Sequence, residues 1–362
     1  MQASIIHGFV GGGGGTEKTL LSIIETLTEN NFTINLFTVS KPSLKINSGV
    51  KIRSVFPFYF PFFGLYQRYM ESMLINKTKE TDLVIQASGG LVLPRNSKQH
   101  IIIYCHHDFQ NETEKIVTKY KGLWSLYYKP YYAISKRFVD QINNDNIHLV
   151  ANSKYIQESI KKKFDKNSIV IYPPVELSEF TNDAIKSERT IVTISRYSQE
   201  KNLEYAIKVT NNIQAKHVII GNTKTKANEI YYDKLQGIID NDGKSGTLLL
   251  KNIKRRQVIE HLKYSKVYLH ASPETFGISI VESIASGCIP IVPDNSAHKE
   301  TVPFTELRFN PNNLDDAREK IENALSGKFD YLLESLQEHV RNFGKDIFKK
   351  SLLNYINTVY KS

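Results

Sequence analysis

Cysteine is nearly absent from this chain, with only Cys105 and Cys288 among 362 residues, each in an apolar, strand-like context. That excludes a disulfide scaffold and a cysteine-rich zinc site, and it points to a reducing compartment. No apolar run of about 18 residues exists, so no segment reads as a membrane span. The N-terminus has no basic stretch followed by an apolar core and a small-residue cleavage site, so no secretory leader is expected. Helix-turn-helix, zinc-finger and RNA-recognition signatures are missing, and nucleic acid is not an expected partner. Apart from a glycine run over 11–15 there is no low-complexity tract and no internal repeat.

What is present has the composition of a folded chain, with 41% hydrophobic and 23% charged residues. The length suggests about two domains. Lys and Arg number 47 against 37 Asp and Glu, a net charge of +10. Without nucleic-acid motifs, that excess leaves an anionic membrane or a phosphorylated small molecule as partners.

Apolar, strand-like runs at 4–7, 34–39, 82–86, 101–104 and 147–151 share the first half with helical spacing at 16–30 and 153–164, the latter capped by Asn152 or Ser153. After Pro173 and Pro174 a polar stretch over 176–188 marks the expected boundary between domains 1–175 and 176–345. The pattern restarts with strands at 190–194, 217–220, 247–250, 267–270 and 289–292, interleaved with helices near 202–212, 229–239, 255–264 and 277–287. Such alternation predicts parallel sheets flanked by helices. Helices near 314–325, 331–341 and 346–360 follow.

The densest chemistry lies in 270–292, HASPETFGISIVESIASGCIPIV. If Gly277 to Ser279 form the first helical turn, their N–H groups and the helix dipole make a site for a phosphate. Glu282 sits in an otherwise apolar helix, where a carboxylate is costly unless paired; it can reach a vicinal diol. Glu274, on the preceding loop, can reach hydroxyls beyond the phosphate. Arg196 and Lys201, on the loop after strand 190–194, suit the clamping of a diphosphate. The glycine run joins a strand to a helix, but Thr16 breaks a dinucleotide fingerprint and Glu17, before Lys18, breaks a Walker loop. It still admits a ligand close to the backbone. His106 ends a strand at the edge where open α/β sheets bind ligands; a structural histidine is the alternative. His106, His107 and Asp108 are too close in sequence to aim at one metal ion. Two aromatic, basic segments, 55–69 and 119–137, are either an interfacial membrane patch or core packing.

With these residues in view, the chain resembles the retaining glycosyltransferases of family 4. The motifs are Gly14-Gly15-Thr16-Glu17-Lys18, Ser195-Arg196 with Lys201-Asn202, and Glu274 paired with Glu282 across Phe276-Gly277. The likeness covers nearly the whole chain and is densest over 192–302. It implies an α/β protein of the GT-B fold: two Rossmann-like domains with parallel sheets facing an inter-domain cleft, and segment 346–362 packed back on the first. The nucleotide-sugar donor would be held mainly by the second domain, with Gly14 and Gly15 facing it from the first. The implied roles are Arg196 and Lys201 as the diphosphate clamp, Gly277, Ile278 and Ser279 beside Phe276 as the phosphate cradle, and Glu282 as the ribose ligand. Glu274 would lie near the transferred sugar and His106 would be a catalytic histidine at the cleft, with no metal and no cofactor beyond the donor. The glycine run, Tyr104-Cys105-His106 and Tyr172-Pro173-Pro174-Val175 look most like α-1,2-mannosyltransferases acting on lipid-linked oligosaccharides. That implies GDP-mannose over a UDP-sugar, a lipid-linked or polysaccharide acceptor, and a peripheral place on the cytoplasmic face of an anionic membrane. Two features depart from those relatives: His107-Asp108 replaces an aromatic or Pro, and their N-terminal membrane helix is not seen. The alternatives are a UDP-sugar enzyme with a soluble acceptor and a non-catalytic basic binding protein on the same scaffold.

Overall fold

The structure, a computed structural model, describes residues 1–11, 13–46, 49–58, 70, 74, 78, 81–89, 99–108, 142, 144–180, 186–242 and 246–361. The chain divides into two compact units, Met1–Pro174 with Lys345–Ser362, and Val175–Gly344. Helices among the described residues are α1 (Gly15–Glu29), α2 (Lys154–Phe164), α3 (Leu203–Thr210), α4 (Lys226–Asp242), α5 (Arg255–Tyr264), α6 (Ile278–Ala285), α7 (His298–Thr301), α8 (Leu314–Leu325), α9 (Leu333–Val340) and α10 (Lys345–Lys361).

In the first unit, β1 (Gln2–Ile6), β2 (Thr33–Ser40), β3 (Lys51–Phe56), β4 (Leu83–Gln86), β5 (Ile101–Cys105), β6 (Ile147–Ala151) and β7 (Ile169–Val170) form a parallel sheet in the order β3-β2-β1-β4-β5-β6-β7. Strands covered on both faces read as unbroken apolar runs, and β5 shows why. Its Ile101, Ile103 and Cys105 join a cluster with Ile156 and Ile160 of α2. Ile102 and Tyr104 point the other way, to Leu20 and Ile24 of α1 and to Phe348 and Ile356 of α10. Ser153 begins α2, its hydroxyl accepting from the Ile156 N–H at 3.2 Å.

The second unit holds a parallel sheet of β8 (Ser187–Ile194), β9 (Lys216–Gly221), β10 (Thr247–Lys251), β11 (Ser265–Leu269), β12 (Ile289–Pro293) and β13 (Arg308–Phe309), ordered β10-β9-β8-β11-β12-β13. The chain enters and leaves this unit side by side. The Val175 N–H donates to the Phe343 carbonyl at 3.0 Å, and a parallel bridge pairs Val175 with Gly344.

Each sheet has one place where strand order reverses, β1 beside β4 and β8 beside β11. Loops leaving two such strands diverge and open a crevice at their carboxyl ends. In the second unit those are the loops of Lys201 and Glu274.

The aromatic segment 55–69 is a strand at its start, with Val55 and Phe58 exposed. Val55 and Phe56 belong to β3, and Phe56 pairs with Ser40 of β2. From residue 59 that segment, and all of 119–137, lie outside the described residues. No helix among the described residues is long and apolar enough to cross a membrane.

Candidate active site

Lys201 reaches the site because its loop is tied at both ends. Tyr197 turns inward and its single hydroxyl proton is shared between the carbonyls of Ile219 (2.8 Å) and Leu250 (3.0 Å). Asn202, left-handed at φ 51°, starts α3, and its side-chain amide donates to the Ala271 carbonyl of the neighbouring loop at 3.3 Å. That neighbouring loop is fixed in turn. The Glu274 N–H donates to Ser296 Oγ (3.0 Å), and its carbonyl accepts from the Ala297 N–H (3.2 Å). The two loops thus bring Lys201 Nζ to 2.5 Å from Glu274 Oε1, with His270 Nε2 3.0 Å from the same oxygen. Burial alone would push the Glu274 carboxyl up, but the Lys201 ammonium and the His270 contact outweigh it and hold it well below the usual carboxylate range. Glu274 is therefore a partly buried anion at neutral pH.

The start of α6 stands beside this pair in sequence. Gly277 adopts φ 92°, a left-handed conformation that favours glycine, and an added Cβ would press on Ile280 Cδ1 at 2.7 Å. The first donors within the helix are the N–H groups of Ile280 and Val281, both to the Gly277 carbonyl. Those of Gly277, Ile278 and Ser279 precede the ladder and remain for a ligand. No acidic residue occupies this first turn. Phe276 is 2% exposed, its ring edge-on to Phe343 at 5.1 Å, so it anchors the loop by packing.

Glu282 is buried, and its partner is Arg255 at the start of α5. The guanidinium forks onto both carboxylate oxygens, at 3.0 and 2.8 Å. It also donates to Glu179 and lies 5.2 Å over the Phe180 ring. Arg196, by contrast, is more than half exposed and pairs with Glu200 at 3.2 Å, so the expected clamp is split in this structure.

In the first unit the glycine turn behaves differently from its counterpart in α6. Gly14 caps α1, but its N–H donates to Glu17 Oε2 at 3.0 Å, and that carboxylate already satisfies the positive helix end. Of the two helix starts, only that of α6 invites an anion. His106 ends β5 and is buried, its Nε2–H donating to the Ala87 carbonyl at 3.2 Å. Burial pushes its pKa down to about 3, so the imidazole is neutral. Asp108 accepts from Tyr155 Oη and Ser159 Oγ of α2, each at 2.7 Å, which makes it a strut. Among the described residues no group of His, Cys, Asp and Glu fits a metal ion.

Sequence reasoning did not assign roles to Arg255, Tyr268, His270 or Ser296. The one available signal was the placing of Glu282 in an apolar helix, which demanded a partner without naming it.

Two family models match the chain: Glycosyltransferase Family 4 over residues 13–179, and Glycosyl transferases group 1 over residues 176–346. The chain is 20% identical over 276 residues to a GDP-Man:Man(3)GlcNAc(2)-PP-Dol alpha-1,2-mannosyltransferase of Dictyostelium discoideum. The match covers 69% of this chain and 54% of the relative, so the chain spans about half the length of that curated protein. Among solved structures, sucrose-phosphate synthase from Thermosynechococcus elongatus superposes with a TM-score of 0.80 at 13% identity, covering 100% of this chain and 99% of that one. Anabaena HepE, solved in complex with UDP and glucose, gives 0.74 at 14% identity, with 99% of both chains covered. At such identities these two structures speak to the fold alone.

Proposed function

The chain belongs to family 4 of the glycosyltransferases, with the GT-B fold, and from there we propose that it is a retaining enzyme moving mannose from GDP-mannose to a lipid-linked or polysaccharide acceptor at a membrane surface. The observation that carries a donor site is the meeting of Lys201, Glu274 and the open α6 terminus at one reversal of strand order. A diphosphate takes the N–H groups of Gly277, Ile278 and Ser279, and Lys201 and Arg196 neutralise it as it departs, so the reading includes no metal requirement. Glu282, oriented by Arg255, takes the ribose diol. Glu274 faces the transferred sugar, and attack from the front face lets a donor phosphate oxygen accept the acceptor's proton.

Mannose is supported by the motifs shared with α-1,2-mannosyltransferases and by the Dictyostelium relative. A UDP-sugar donor with a soluble acceptor is the second reading, favoured by HepE having been solved with UDP and glucose. Family membership and the retention of Lys201, Glu274 and Glu282 set the non-catalytic alternative aside. Calorimetry with GDP and UDP decides the donor: tighter binding of UDP sinks the mannose reading. Co-sedimentation with anionic vesicles, weakening as salt rises, tests the membrane part, and no binding at low salt removes it.

A further inference from the structure

One turn into α6 from the phosphate cradle, a single arginine is shared by two carboxylates. Arg255 Nη2 lies 2.8 Å from Glu282 Oε1 and 2.7 Å from Glu179 Oε2, and Arg255 Nε donates to the same Glu179 oxygen at 3.1 Å. Glu179 ends a short 3-10 turn, Leu177–Glu179, flanked by buried Val175 and buried Phe180, and the Arg255 guanidinium lies over the Phe180 ring. The Glu179 carboxylate is thus held in place, yet its side chain is 40% exposed, and among the described residues nothing donates to its Oε1. Two negative groups around one positive group leave this corner rich in acceptors and short of donors. Glu282 has a part in the donor site; Glu179 has none so far.

We propose that Glu179 selects the base of the donor nucleotide, and that the base it selects is guanine; this rests on the donor-site reading above. The direction of the donor follows from α6. Its first turn is the phosphate cradle, and Glu282 stands four residues past Ile278, about 6 Å along the axis. With the diphosphate on the cradle and the ribose diol on Glu282, the base leaves from the other end of the ribose ring. That carries it past Glu282, toward Arg255 and Glu179. The edge of the base then decides. Guanine presents two adjacent donors, N1–H and the 2-amino group, which a carboxylate accepts side by side. Uracil presents one N–H between two carbonyl oxygens, and those oxygens meet the Glu179 carboxylate with repulsion. Arg255 does not rescue them, because its Nε, Nη1 and Nη2 all donate to carboxylates already.

Calorimetry on the full chain with GDP, inosine diphosphate and UDP tests this. Inosine diphosphate is GDP without the 2-amino group, so the wild type should bind it about tenfold more weakly than GDP, and UDP more weakly again. Glu179→Gln should bring GDP down to within about threefold of inosine diphosphate. A merely structural role, acting through Arg255 on Glu282, would weaken all three nucleotides alike and leave their ratios as in the wild type. Equal wild-type affinity for GDP and inosine diphosphate overturns the assignment without any variant having to fold, and so does a Glu179→Gln that folds and keeps the wild-type ratio; the donor site itself survives both results. Tighter binding of UDP than of GDP overturns the choice of guanine. A wild type that binds none of the three overturns the donor-site reading, and this proposal with it.

Discussion

A carboxylate only 20% exposed stays charged because cationic and N–H groups are built around it, and at Glu274 these are Lys201 and His270 on one oxygen. Glu274→Gln and Lys201→Ala should each cut transfer on the order of a hundredfold or more while circular dichroism stays that of the wild type. Unchanged turnover in either would remove that residue from the site. Arg255→Lys keeps a charge beside Glu282 but cannot fork, so donor KM should rise about tenfold with a smaller change in kcat. A donor KM equal to the wild type would make the Arg255 pair a matter of stability only. These residues differed in how visible they were beforehand. Lys201 and Glu274 each follow a buried strand, and strand order is inferable from alternation, so their meeting could be anticipated. Arg255 sits among Lys254 and Arg256 at a helix start, where a solvated charge is the ordinary reading. Its carboxylate lies 27 positions on, and only tertiary structure pairs them.

Among the elements, α10 is held to α1 by apolar packing and by charge. Glu25 pairs with Lys345 (2.6 Å) and Lys349 (2.7 Å), and Lys349 also meets Glu29 (2.8 Å). Burial pulls the Glu25 carboxyl upward, but the hydrogen bonds from both lysines lower it below its ordinary value. A lowered carboxylate stabilises at neutral pH, and that contribution is lost as pH falls through the acidic range. Because these groups are partly exposed, Lys349→Ala should cost only about 0.5–1 kcal/mol in low salt, shrinking in high salt, as read by denaturant melts. The strands differ in legibility for a physical reason. β4, β5 and β6 are covered on both faces and leave continuous apolar runs. β3 is an edge strand exposed along most of its length, and its sequence KIRSVF gives no buried-face signal. β7 and β13 are two residues each, too short for any period to appear. Helix starts shift by a residue or so because caps such as Gly14, Asn202 and Gly277 are set by backbone geometry that composition does not display.

Over the whole molecule, buried neutral histidines set the acid limit. Burial pushes the pKa values of His106, His217 and His298 down to about 3, against 6.5 when unfolded. Between those values the unfolded chain binds more protons, so stability is full above about pH 6.5 and declines as pH falls through the window. Melting temperature should hold from pH 7.5 to about 6.5 and fall from there to pH 5, and His217→Gln should flatten part of that slope; a profile flat down to pH 5 would contradict the assignment. The parallel sheets and the loops of Lys201 and Glu274 were legible because they obey local periodicity and the switch-point rule. The side-by-side crossing of Val175 and Gly344 was not, since it pairs residues 169 positions apart. That crossing bears on biogenesis. On a ribosome the second unit is fully synthesised, and free to close, before the first has received its returning helix. Until 345–361 emerges, Leu20 and Ile24 lack the cover of Phe348 and Ile356. A nascent chain in that state carries an apolar face in open water, which makes the interval before α10 docks the moment when a chaperone matters most.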